Sequence, residues 1–211
     1  LTGLRRGAMS QRFSSESTRS RFLGRERELD LLKRALDRAA DGEGCAVGIV
    51  ADAGVGKSRL CFEFAEHCRT RDIRVLEGRA LAHSRATPFE PVIDVVRAVF
   101  EIAPDDAPAE ARQKIAELCA RLDDELVADV GLIADFLGFA DGAAPREKID
   151  PATRRERLNA FFRRLMRSAS RDQSLVLLVE DLHFLDTGSE SILEVLADSL
   201  VGTRLLLLVN F

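Results

Sequence analysis

The sequence predicts an α/β domain built on a parallel sheet with helices on both faces, and three observations lead there. Two runs, 175–179 and 205–209, are apolar throughout, as strands buried on both faces are. Segments with apolar residues at helical spacing lie before and between them. A glycine-rich turn, Ala53-Gly54-Val55-Gly56, joins a β-prone run to a helical one, and alternating strands and helices build parallel sheets.

Composition sets the bounds. A chain of 211 residues, 46% hydrophobic and 31% charged, suits one substantial globular domain and excludes a disordered or collagen-like chain. The net charge of −4 points to neither nucleic acid nor an anionic membrane surface as a partner. The two purely apolar runs, 175–179 and 205–209, fall far short of the roughly 20 residues a membrane helix needs. Cys45, Cys61, Cys68 and Cys119 sit inside apolar periodic segments without Cys-x-x-Cys spacing, so they read as reduced core residues of a cytoplasmic protein. Neither disulfides nor a zinc site is expected.

Residues 1–21 carry five arginines against one glutamate, with Ser and Thr dominating 10–20, and read as a basic linker. The domain proper is expected over 22–211. Leu29, Leu32, Leu36 and Ala39 recur at helical spacing until Asp41-Gly42 and Gly44 end the helix. The run 45–50 is the first strand. After the glycine turn, Leu60, Cys61, Phe64, Ala65 and Cys68 share one helical face. A second strand is expected over 73–76, continuing toward Gly78.

From Pro88 the pattern becomes helical. One helix carries Val92, Ile93, Val96, Val99 and Phe100; two more carry Ile115, Leu118, Leu122 and Val130, Ile133, Leu137. After a loop over 138–150, another presents Leu158, Phe161, Phe162, Leu165 and Met166. The span 88–170 therefore reads as a mostly helical insertion between the second and third strands. The third strand, 175–179, runs into Glu180-Asp181, and Asp186 or Thr187 is placed to cap a helix with Ile192, Leu193, Leu196 and Leu200. The fourth strand is 205–209. The first residue is Leu1, not Met, and the last, Phe211, follows a strand-like run directly; the expectation is a piece of a longer chain.

The chemistry is concentrated at the glycine turn. Ala51-Asp52-Ala53-Gly54-Val55-Gly56-Lys57-Ser58 fits the phosphate-loop pattern, Gly, four residues, Gly-Lys-Ser/Thr, except that Ala51 replaces the first Gly. Gly54 and Gly56 let the backbone turn and bring N–H groups up to Ser58 toward phosphates at a helix N-terminus. Lys57 supplies a compact positive charge for the β- and γ-phosphates and Ser58 a hydroxyl for Mg2+. Ala51 is tolerable if its φ stays negative and costs affinity if φ must be positive. The acids Glu180 and Asp181, at a strand end, suit Mg2+ binding and polarisation of an attacking water. Together these residues predict a three-layer P-loop NTPase fold with four core strands, and ATP with Mg2+ as cofactors.

Three segments in order, Phe22-Leu23-Gly24-Arg25-Glu26-Arg27-Glu28-Leu29, Gly54-Val55-Gly56-Lys57-Ser58-Arg59-Leu60 and Val179-Glu180-Asp181-Leu182-His183-Phe184-Leu185-Asp186, resemble the AAA-like ATPase domain of the STAND class. Such domains occur in large bacterial signalling proteins, among them class III adenylate or guanylate cyclases and LuxR-type transcriptional regulators. The resemblance implies that Gly24 and Arg25 lie near the nucleotide base, with Ala53, Gly54, Val55, Gly56, Lys57, Ser58 and Arg59 around the phosphates. It further implies Ser58 and Glu180 at the metal and Asp181, Glu180 and Lys57 in catalysis. The family order is usually Asp then Glu; here Glu180 precedes Asp181, which leaves the division of roles between them open. His183-Phe184 matches a His-aromatic pair of the family, readable as catalytic or as packing, and Thr87-Pro88-Phe89-Glu90-Pro91 matches a structural proline-flanked tract. Leu1-Thr2-Gly3-Leu4 and the basic linker resemble the joint after a cyclase catalytic domain. A fifth strand usually flanks the phosphate-loop strand in the family, so that edge is expected to be open here, and the family's γ-phosphate-reading arginine falls beyond Phe211.

The expected function is a slow Mg-ATPase switch that regulates an output domain elsewhere in a parent chain, with nucleotide-dependent self-association in view. Alternatives are a non-hydrolysing nucleotide sensor or inactive fragment, a small-molecule kinase, and a nucleic-acid-remodelling ATPase, against which the acidic domain argues.

Overall fold

A computed structural model of the chain describes residues 24–52, 54–80, 88–140 and 149–211. The basic linker, Phe22-Leu23, Ala53, Thr87 and most of the 138–150 loop lie outside the described residues. Helix α1 (Glu26–Ala40) precedes strand β1 (Cys45–Ile49), and the glycine turn leads into α2 (Lys57–Thr70) and β2 (Arg74–Arg79). Five helices follow before the next strand: α3 (Glu90–Val99), α4 (Pro108–Leu122), α5 (Asp124–Val127), α6 (Val130–Phe136) and α7 (Pro151–Ala169). Then come β3 (Leu175–Glu180), a 3-10 turn (Leu182–Phe184), α8 (Thr187–Asp198) and β4 (Leu205–Asn210).

The short α5 was not expected. It starts because Asp123, in extended conformation, accepts the Glu125 N–H through its side chain, so a cap divides what periodicity reads as two helices into three. Asp150 caps α7 the same way, accepting from Ala152 and Thr153, with Pro151 in the first helical position, where its missing N–H costs nothing.

The sheet is all parallel in the order β1-β4-β3-β2. Alternate residues of β3 and β4 face two separate cores. Val176, Leu178, Leu206 and Leu208 pack with Leu32, Leu36, Leu60, Phe64 and Cys68 of α1 and α2. Leu175, Leu177, Val179, Leu205 and Leu207 pack with the helices inserted after β2 and with α8. Burying each such leucine is worth about 1.5–3 kcal/mol, so the two central strands anchor both outer layers.

Coverage on both faces holds for β3, buried at every position, but not for β1, where Ala46 and Gly48 are exposed while Cys45, Val47 and Ile49 pack against α1 and α2. Among the described residues β1 is an edge strand paired on one side, with β4. β1 is therefore half-covered, and it leaves open the edge expected to be open beside the phosphate-loop strand.

Candidate nucleotide site

The site lies where parallel strands end together, the usual ligand-binding edge of an open α/β sheet. The register aligns Ile49 with Asn210 and Arg79 with Glu180, so the last residues of all four strands form one row. Three of those four are polar.

Beyond β1 the chain turns through Gly54 and Gly56, both with positive φ, 81° and 91°. A Cβ at either would meet nothing within 4 Å, so the demand for glycine here is conformational and not steric. Ala51 is not among the residues with positive φ. The condition that decides whether alanine is tolerated there is met, and the departure from the consensus carries no backbone strain. Ala53 lies outside the described residues.

Lys57 opens α2, and its Nζ donates to the carbonyls of Ala51 at 2.6 Å and Asp52 at 3.0 Å. The ammonium is thus folded back over the loop, held by neutral acceptors that a phosphate would outcompete as a charge-assisted partner. Arg25 Nη2 donates to the Val55 carbonyl at 2.6 Å, so Arg25 touches the loop from 30 residues upstream instead of lying free in solvent. Gly24, at φ 85°, donates its N–H to Glu26 Oε1. Val55 exposes its side chain. Arg59 is engaged by Glu63 one turn on, at 2.5 Å, and its guanidinium lies 6.0 Å from the Phe62 ring centroid.

Glu180 and Asp181 part company at the strand end. Glu180 is the last residue of β3 and only 6% exposed, on the α2 side of the sheet. Its carboxylate accepts from Asn210 Nδ2 at 3.2 Å and from the Ser58 hydroxyl. Burial pushes the Glu180 carboxyl above its ordinary range; the Arg79 charge pulls back, as do the Asn210 and Ser58 hydrogen bonds, while Asp181 adds to the rise. Asp181 adopts a left-handed conformation, φ 58° and ψ 46°, uncommon outside glycine. Its N–H donates to Asn210 Oδ1 at 2.9 Å, and Arg79 Nε and Nη2 both reach its Oδ2 at 3.1 Å.

Asn210 and Arg79 contact the two candidate-site acids, and motif reading passes over both. Asn210 is 1% exposed, tying Glu180 to the Asp181 backbone and touching Cys61 Sγ at 3.4 Å. The Cys61 thiol, pushed up to about 12 chiefly by burial, stays protonated and is not a nucleophile. His183, exposed in the 3-10 turn, tilts against the adjacent Phe184 ring at 4.0 Å and is not packed into the strand exit.

The donor set fits magnesium with a nucleotide. Ser58 and Glu180 offer hard oxygen ligands side by side, and Mg2+ takes one or two protein oxygens while keeping phosphate oxygens and water for the rest. Among the described residues no group of three or more His, Cys, Asp or Glu is placed to hold a metal ion, so the protein groups here complement a phosphate-borne cation and do not form a cage.

Comparison with known proteins decides the family. The family model described as the AAA ATPase domain matches residues 21–209. The chain belongs to the AAA ATPase domain family. It is also similar to an uncharacterized protein of Rhizobium meliloti (strain 1021), 29% identical over 175 residues, which make up 82% of this chain and 16% of that protein. The chain therefore spans under a fifth of that relative's length. As an AAA ATPase domain, it is a nucleotide-binding module with a P-loop NTPase fold, in keeping with the parallel four-stranded sheet. Among its described residues no helix is long and apolar enough to cross a membrane.

Proposed function

We propose that this AAA ATPase domain binds Mg-ATP across the loop at Gly54–Ser58 and hydrolyses it slowly, as a switch acting on other domains of a longer chain. The observation that carries the reading is the meeting of Ser58 with Glu180 at the end of the buried β3, beside a loop whose Lys57 holds only neutral carbonyls. In this reading Lys57 moves from Ala51 and Asp52 to the phosphates, and the N–H groups from Gly54 to Ser58 cradle them. Ser58 and Glu180 hold magnesium, which neutralises phosphate charge when it arrives with the nucleotide. Asp181 accepts a hydrogen bond from the attacking water, and Asn210 positions the Glu180 carboxylate and the Asp181 backbone. Gly24 and Arg25 border the base.

The resemblance to STAND-class domains supports the switch role. ATP and ADP would favour different packings against an output domain, such as a cyclase or a DNA-binding module, or different states of self-association, and populations shift by the difference in affinity. One observation favours a second reading, a sensor that binds without turnover: Arg79 occupies the Asp181 carboxylate.

Calorimetric titration with Mg-ATP and Mg-ADP tests the common core. Lys57→Ala removes a charge-assisted contact worth roughly 1.5–3 kcal/mol and lowers affinity about ten- to a hundredfold. Equal affinity in both proteins would sink nucleotide binding at this loop. Phosphate release that Asp181→Asn abolishes favours the hydrolysing switch; binding with no release in the wild type favours the sensor.

A further inference from the structure

A cavity of about 620 Å3 lies away from the phosphate loop, between α3, α6 and α7 on one side and the first turn of α8 on the other. Its volume falls within the range of small-molecule sites, which run from about 300 to 1,000 Å3 and combine apolar walls with a few placed polar groups. Here the apolar walls include Phe89, Ile93, Phe136 and Ile192. Phe89 and Phe136 meet edge to face with centroids 5.3 Å apart, which fixes two of these walls as rigid surfaces.

The polar groups of the lining have a sign. Arg154 is neutralised by Asp135 at 2.7 Å. Arg155, its neighbour in the lining, is exposed and makes no ion pair or hydrogen bond among the described residues. The cavity therefore has one uncompensated positive charge beside aromatic walls.

We infer that this cavity is a second ligand site, for a small molecule with an aromatic or apolar body and one acidic group. Arg155 pairs with the acid, and the Phe89 and Phe136 rings hold the body. The site does not depend on nucleotide binding, so either can fail without the other. It is joined to the nucleotide edge through Asp186, whose carboxylate accepts from the Phe89 N–H at 3.0 Å and caps α8 through Gly188 and Ser189.

The test uses two dyes of the same shape, anionic anilinonaphthalene sulfonate and neutral N-phenylnaphthylamine, titrated into isotopically labelled protein and followed by backbone amide shifts. Saturable shifts at Gly188, Ser191 and Asn159 are expected with both dyes. Arg155→Ala, an exposed substitution that leaves the fold intact, should weaken the anionic dye about three- to fivefold and leave the neutral one unchanged. No saturable shift, or shifts confined to Gly56 and Lys57, would overturn the site. Equal weakening of both dyes by Arg155→Ala would overturn its preference for acids.

Discussion

Asn210→Ala should destabilise the protein, and more so as pH rises. The side chain gives one hydrogen bond to Glu180 Oε1 and accepts one from the Asp181 N–H, at 3.2 and 2.9 Å, from a position 1% exposed. Losing the neutral bond costs about 1 kcal/mol, and losing the donor to an ionised, buried carboxylate costs about 1.5–3 kcal/mol. The pH dependence has a definite sign. Glu180 has a raised pKa in the folded state, chiefly through burial, so its contribution to stability is complete below the ordinary value of 4.5 and is lost as pH rises through the folded value. Asn210 works against that rise, and removing it extends the loss to higher pH. The cost is therefore about 1–2 kcal/mol where Glu180 is protonated and about 2.5–4 kcal/mol where it is ionised, so it grows as pH rises. Urea unfolding at one pH below the ordinary value of 4.5 and one in the alkaline range reads it: with a slope of about 2–3 kcal/mol/M, the midpoint falls by about 0.5 M and about 1.3 M respectively. A Glu180→Gln background should erase the difference. A midpoint shift equal at both pH values, or larger at the lower one, refutes the assignment of Asn210 as the donor that keeps Glu180 ionisable.

Ala51→Gly should leave Mg-ATP affinity within about twofold by calorimetry, since Ala51 does not need positive φ, and should lower stability by about 0.4–1 kcal/mol through the unfolded chain. Gly188→Ala should cost about 1–3 kcal/mol in urea unfolding, because its Cβ would lie 2.4 Å from the Phe89 ring; an unchanged midpoint would mean that ring moves freely. For Asp186, burial pulls the carboxyl upward but the Ser189 hydroxyl and the Ser189, Phe89 and Gly188 N–H groups outweigh it, so the pKa is lowered. Its stabilisation is present above the ordinary value of 3.8 and lost as pH falls through the folded one, so Asp186→Asn should reduce the acid sensitivity of unfolding. Arg79→Ala should move the onset of Mg-ATP binding to higher pH, because the Arg79 charge holds the Glu180 pKa down; an onset that does not move would remove Arg79 from the electrostatics of the site.

The fold was legible wherever one physical demand acted alone. The runs at 175–179 and 205–209 must be buried on both faces, and the structure makes them the two central strands. Helical spacing located seven of the eight helices among the described residues, and the eighth, α5, escaped because it depends on a single capping carboxylate and not on periodicity. The half-exposure of β1 escaped for a different reason. An apolar run of five residues reads the same whether its second face is covered or open, and only the position in the sheet decides.

The candidate site was legible in its contiguous half. Glycine turn, lysine and serine sit within eight residues, and their chemistry follows from type and spacing alone. Arg79 and Asn210 lie 22 and 153 residues beyond Lys57 and join the site through strand register, which no local spacing encodes. A signal does exist. The two central strands are apolar stretches closed by one polar residue each, Glu180 and Asn210, and burial of a polar group at the end of a strand needs a partner. Parallel strands end on the same edge, so these two supply each other's partner and Asn210 also answers the Asp181 backbone, while Arg79, at the end of the mixed strand β2, answers the Asp181 carboxylate. Once the sheet is known to be parallel, the polar residue that closes each apolar strand is the natural candidate for the site, and Asn210 follows from that rule as directly as Glu180 does.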